Sequence, residues 1–230
     1  MNIHAVICTR DRNDVSTTTD KLIKFLCECG IAVYLLSGAK SIFKAYSGAL
    51  AKIDPSKDDI VIFCHDDIEI REKPSEFVQK LQDSLALPET GFVGPAGTTH
   101  LTENAIWWNQ EVWQNGGHRG KVVHIDPQNK EYLTYYGKPD DVVVLDGLFL
   151  AAKPKVLKEV GLEKPEYFEG EWDFYDIHYT SKAFLLGYTN KVLDLNIFHN
   201  SRGELVGRDS WHKNREAFIE KTDLPLQIIR

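Results

Sequence analysis

No stretch of this 230-residue chain approaches the ~18 consecutive apolar residues that a membrane-spanning helix needs. The opening residues, MNIHAVICTR, read as a short apolar strand and not as a charged segment leading into a long apolar one, so no leader peptide is expected. Peripheral contact is then the one membrane association left open. A basic surplus is missing too. Lys and Arg number 27 against 34 Asp and Glu, a formal net charge of -7, and no basic stripe is present to neutralise a phosphate backbone, which excludes a broad nucleic-acid surface. Cysteine is scarce. Cys8 and Cys64 lie in apolar, strand-like runs, while Cys27 and Cys29 fall in a helix-like stretch where their side chains diverge, with no second pair to complete a structural zinc site. Free thiols in a reducing compartment, and hence a cytoplasmic protein, are the expectation.

What remains is an ordinary globular balance, 43% hydrophobic and 27% charged, enough to build a core within one domain spanning 1–230. Ile3 to Cys8 reads as a strand ending in the polar loop Thr9-Arg10-Asp11-Arg12. A helix capped near Ser16 to Thr19 and stopped at Gly30 follows, then a strand at Ile31 to Leu36, a helix at Ser41 to Ile53 and a continuously apolar strand at Ile60 to Cys64. This β-α-β-α-β order predicts a mixed, mainly parallel sheet flanked by helices, with ligands beyond the C-terminal strand ends. Further on, the pattern predicts a helix at Ser75 to Leu87, a strand at Gly91 to Gly97, an irregular segment at 101–140, and an apolar strand at Val142 to Ala152 interrupted by Asp146-Gly147. A short helix at Lys155 to Val160, a helix at Asp173 to Leu186, a strand at Lys191 to Phe198 and a polar tail from Ser201 complete it.

Five constellations could carry chemistry. His65-Asp66-Asp67 brings two adjacent carboxylates to the end of a buried strand, a costly pairing unless water or a cation relieves it; a solvated turn is the plainer alternative. His199, just past the last strand, is a good partner for a carboxylate in holding a Mn2+-like ion. Asp176 opens a helix, where it could be a first-turn acid or a general base, with Asp173, Glu171 and Glu169 as rivals. Asp146 interrupts an apolar run and must be paired or face a cleft. Trp107, Trp108 and Trp113 could stack on sugar rings, although core packing is the commoner use of any single Trp.

In this order the pieces resemble the GT-A glycosyltransferases, most closely the family 2-like group, over roughly residues 3 to 201. The features that carry the likeness are Ile7-Cys8-Thr9-Arg10, His65-Asp66-Asp67, Asp146-Gly147, Tyr175-Asp176-Ile177-His178, Gly187-Tyr188 and His199. The resemblance implies a nucleotide-sugar half at about 1–100 and an acceptor-binding, catalytic half at about 101–200. It implies a nucleotide pocket lined by Thr9, Arg10 and Ser37, with Lys44 nearby, and donor or sugar contacts from His65, Asp66, Asp146 and Gly147. Asp67 and His199 would hold Mn2+ or Mg2+, Asp176 would be the base, and Trp107 and Trp108 would seat the acceptor. The implied reaction is an inverting transfer of a hexosyl unit from a UDP-, GDP- or dTDP-sugar to a glycan or glycoconjugate. His65 stands where the usual motif has its first acid, and Tyr175 and His178 stand where the helix motif has flanking acids. Two other classes share some of these features: a nucleotidyltransferase acting on sugar phosphates, which usually wants a glycine-rich loop after strand one, and a non-catalytic carbohydrate-binding protein.

Overall fold

The computed structural model describes residues 1–9, 16–201 and 209–228. In chain order the elements are β1 (Ile3–Cys8), α1 (Thr17–Glu28), β2 (Ala32–Leu36), α2 (Ile42–Ile53), β3 (Ile60–His65), β4 (Ile68–Ile70), α3 (Pro74–Ser84), β5 (Thr90–Gly94), β6 (Ala96–Thr98), β7 (His100–Leu101) and α4 (Gln110–Gln114). They continue with β8 (His118–Ile125), β9 (Glu131–Gly137), β10 (Asp141–Val142), β11 (Val144–Leu145), β12 (Phe149–Ala152), α5 (Pro154–Val160), α6 (Tyr175–Leu185), β13 (Thr189–Val192), β14 (Ile197–His199), α7 (Asp209–Lys221) and β15 (Leu226–Gln227). Among the described residues no helix is long and apolar enough to cross a membrane.

The first half forms as the local signals dictate. The Ser16 hydroxyl accepts the Thr19 amide and starts α1; Gly30, at φ +71°, ends its last turn. Leu22 and Leu26 lie on its inner face and are fully buried, each contributing about 1.5–3 kcal/mol. Ser41 caps α2 in the same way, and Phe43 and Tyr46 fill the space beneath it. The residues from Ile60 to Cys64 are buried throughout because the sheet is covered on both faces.

A seven-stranded sheet runs in the order β10-β13-β5-β12-β3-β1-β2. β2, β1 and β3 are parallel, as are β5 and β13, while β12 inserts antiparallel between β3 and β5. That reversal puts the Asp146-Gly147 turn above the C-terminal end of β3, where the His65 amide donates to the Leu148 carbonyl at 3.0 Å. A second sheet, β11-β6-β8-β14-β4 with β9 on β8, stands beside it.

Several expectations are corrected. The predicted strand at 91–97 is two strands, β5 and β6, divided at Pro95, which has no N–H to continue a ladder, and the two belong to different sheets. The predicted strand at 191–198 divides likewise into β13 and β14, and the run at 142–152 into β10, β11 and β12. The segment 101–140 is not irregular, since it holds α4 and the long β8–β9 hairpin, closed through Asn129 at φ +60°. α3 ends at Ser84, and α6 begins at Tyr175 behind Phe174 at φ +71°. Within the polar tail, residues 209–221 form α7, whose Trp211 and Phe218 pack on Phe174. Asn214 on α7 receives the Gly170 amide and donates to the Gly170 and Asp173 carbonyls.

Candidate active site

Three chain segments meet at the C-terminal end of β3. His65 is the last residue of β3, Asp67 lies in the turn to β4, and His199 ends β14, paired across from Ile68. The Asn200 amide donates to the Asp67 carbonyl at 2.8 Å, which ties the end of β14 to the turn. As a result His65 Nδ1 lies 3.7 Å and His199 Nε2 3.4 Å from Asp67 Oδ1. The ligand atoms of the three residues all lie within 4.8 Å of one another. Asp67 Oδ1 is buried without a hydrogen-bond partner, an expensive state for a carboxylate oxygen. A carboxylate oxygen and imidazole nitrogens converging in this manner form a donor set that fits a Mn2+-like divalent ion. Burial opposes charge on Asp67, but His199 and His65 outweigh it and hold the carboxyl below its ordinary range. Burial likewise opposes protonation of His199, and Asp67 outweighs that, raising the imidazole above its usual value. His65 goes the other way: burial keeps it below the ordinary imidazole value despite Asp67.

A second group adjoins the first. The Tyr175 hydroxyl, on the first turn of α6, donates to the Gly147 carbonyl at 2.8 Å and lies 2.8 Å from His65 Nε2. The Gly147 amide donates to Asp176 Oδ2 at 3.0 Å, and the Leu148 amide to Asp146 Oδ1 at 3.1 Å. Gly147 has no substitute here, since a Cβ would run into the Tyr175 hydroxyl and come within 2.8 Å of the Asp176 Cβ. Burial, and then repulsion from Asp146, raise the Asp176 carboxyl to about 7. The rival acids are engaged elsewhere. Asp173 accepts the Ser210 hydroxyl, Glu171 pairs with Lys164 at 2.8 Å, and Glu169 pairs with Lys213 at 2.6 Å.

Thr9, Ser37 and Asp66 follow the C-terminal ends of β1, β2 and β3. Cys8 pairs in register with His65, so Thr9 follows at the same strand ends; its amide donates to Leu36 and its carbonyl accepts the Ala39 amide. Ser37 is exposed just past β2, and Lys44 is exposed on the first turn of α2, close enough to stabilise the charged Glu171. Arg10 lies outside the described residues. Asp66 is half-buried, and its carbonyl accepts the Thr19 hydroxyl at 2.7 Å. Trp107 is buried and meets Trp108, His118 and Tyr136, whereas Trp108 and Trp113 are 37% and 41% exposed. Burial raises the Tyr136 phenol, and the charge of Asp146 adds to the rise. His178 instead lines a separate cavity of about 470 Å3 with Tyr167 and Lys182.

A family described as glycosyltransferase like matches residues 6–221, nearly the whole chain. This protein belongs to that glycosyltransferase-like family. A curated relative, the streptomycin biosynthesis protein StrF of Streptomyces griseus, is 24% identical over 144 residues, covering 61% of this chain and 47% of StrF. The glycosyltransferase-like chain thus spans about half of that relative's length. Among solved structures, GalNAc-T7 with UDP, GalNAc and Mn2+ superposes with a TM-score of 0.54 at 13% identity, over 88% of this chain and 44% of that one. A197 from STIV superposes with a TM-score of 0.50 at 16% identity, over 87% and 86%. These likenesses establish the fold, a GT-A α/β architecture.

Two site neighbours of this glycosyltransferase-like protein were not singled out by sequence reasoning. His124 on β8 lies 5.9 Å, ring to ring, from His199, and Tyr132 on β9 lies 5.6 Å from His124. Their signal was Asp126-Pro127-Gln128-Asn129, a turn between two runs rich in β-branched and aromatic residues, which marks a hairpin.

Proposed function

We propose that this protein transfers a hexosyl unit from a nucleoside-diphosphate sugar to a hydroxyl of a carbohydrate acceptor, with inversion and with the help of a divalent ion. The observation that carries this reading is the convergence, on one rim of a GT-A fold, of the Asp67–His199 cation pair with an Asp176 carboxyl poised near 7. Asp67 and His199 would hold the ion, whose part is to neutralise charge gathering on the leaving diphosphate. Asp176 is suited to accept the proton of the attacking hydroxyl, because its affinity for that proton is close to matched at neutral pH. Gly147 orients this carboxylate through its amide. Thr9, Ser37, Lys44, His65, Asp66 and Asp146 border the space for nucleotide and donor sugar, and Trp108, with Trp113, offers exposed ring surface for an acceptor.

The test is a thermal-shift comparison of UDP, GDP and dTDP and their sugars, each with and without Mn2+ or Mg2+, followed by a transfer assay with the stabilising donor. Binding to the folded state raises the melting temperature by mass action, so one nucleotide should shift it only in the presence of metal. No metal-dependent shift with any of the three would overturn the reading. Sugar binding without turnover would return the protein to the non-catalytic class.

A further inference from the structure

We propose that Tyr175 is a positioning residue that fixes the His65 imidazole as the Nε2–H tautomer, making His65 the third protein ligand of a nitrogen-rich cation site that discriminates against Mg2+. The inference deepens the reading of this rim as a cation site and rests on it.

The argument is a count of hydrogens. A phenol has one proton to give, and at 2.8 Å the Gly147 carbonyl can only accept it. The 2.8 Å contact between Tyr175 Oη and His65 Nε2 therefore needs its proton from the imidazole. A neutral ring protonated at Nε2 has its lone pair on Nδ1, and Nδ1 is the atom that faces Asp67 Oδ1 at 3.7 Å. A lone pair aimed at a buried carboxylate oxygen is repulsive in isolation. A cation held by both atoms would relieve that repulsion, and His199 Nε2, 3.4 Å from the same oxygen, would be a further donor to it. Neighbouring donors that each sit about 2.1 Å from one ion are ~3–3.5 Å apart; the 3.4 Å spacing falls in that range and the 3.7 Å spacing lies slightly above it.

Tyr175 is itself held firmly. Its ring is buried edge-on against Tyr46 at 5.8 Å and Phe43 at 6.5 Å, and the bare Cα of Gly147 leaves just enough room for the hydroxyl. The proton order Gly147–Tyr175–His65 is thus set by packing before any ion arrives, the usual role of an outer partner to a ligating imidazole. Two imidazole nitrogens and one carboxylate suit Mn2+, Co2+ or Zn2+, whereas Mg2+ demands oxygen donors and retains its water.

The test begins without metal. Long-range 1H–15N correlation spectra of the labelled, metal-free protein should show His65 protonated at Nε2, and Tyr175→Phe should abolish that preference. Mn2+ binding followed by electron paramagnetic resonance, with Mg2+ as competitor, should then require at least about 100-fold excess Mg2+ for half displacement in the wild type. Tyr175→Phe should weaken Mn2+ by about 10- to 100-fold. His65→Asp, which adds oxygen, should let Mg2+ compete. An Nδ1–H tautomer in the wild type, or Mg2+ displacing Mn2+ at equal concentration, overturns the inference while leaving metal-dependent transfer intact. Failure of the wild type to bind Mn2+ overturns the cation site itself, a different result from either. The wild-type tautomer and competition data decide the matter even if a variant does not fold.

Discussion

At one end of the candidate site, Asp67 sits between two imidazoles, and its carboxyl is held below the ordinary range despite burial. At the other end, Asp176 has Asp146 for a neighbour and only backbone amides for company, and its carboxyl rises to about 7. The two acids belong to one hydrogen-bonded assembly, joined through His65, Tyr175 and Gly147. What separates them is the sign of the nearest charge. Opposite displacement of two carboxyl groups within one site is how a protein assigns one to hold charge and the other to exchange a proton.

The largest break in this contrast is expected at the Asp67 end. Asp67→Asn should abolish the metal-dependent thermal shift and lower transfer by about 1,000-fold or more, because the neutral amide would leave the ion without the one carboxylate of the His65–Asp67–His199 group. At the other end, Asp176→Asn should lower kcat by about 100- to 10,000-fold, with KM for the donor little changed in steady-state assays. The same variant should be more stable than the wild type at pH 8. The folded-state carboxyl binds its proton more tightly than the ordinary value of 3.8, so the stability it contributes is complete below pH 4 and lost as pH rises to about 7. The asparagine does not titrate, and melting curves at pH 4 and pH 8 should show the gain at the higher pH alone. Asp146→Asn would sharpen the comparison by removing the like charge. The acid limb of the kcat profile should move down by up to about one pH unit, an effect worth about 1.4 kcal/mol. The smallest effect is expected outside the pair, where Trp108→Ala should raise the acceptor KM by several-fold and leave the donor KM alone.

The first three strands and their helices could be read from the sequence because each signal is local. Ser16, Gly30 and Ser41 mark helix ends by their own chemistry, and the run from Ile60 to Cys64 announces a doubly covered strand. The transfer of a strand from one sheet to the other leaves no such mark, so 91–97 and 191–198 looked continuous. Tertiary pairing, not periodicity, also decides that β12 runs antiparallel and that α7 packs on Phe174. At the site, the order of Asp67, Asp146, Asp176 and His199 was legible as a pattern. The direction of the His65 side chain was not, because it depends on Tyr175, 110 residues away. Of the three residues that stand where the resembled motifs carry acids, His65, Tyr175 and His178, the first two touch each other.

The passage of the chain between its sheets has a further consequence. Among the described residues it passes from one sheet to the other between β3 and β4, back before β5, over again at Pro95, back before β10, over at Val143, back before β12 and over once more between Val192 and Ile197, so each sheet owns strands from both halves of the sequence. The two halves of the sequence are therefore braided and not joined end to end. Cutting the polypeptide near residue 100 should yield two fragments that fold only when mixed, and neither half can be exchanged as a module without rebuilding the seam through which the other is threaded.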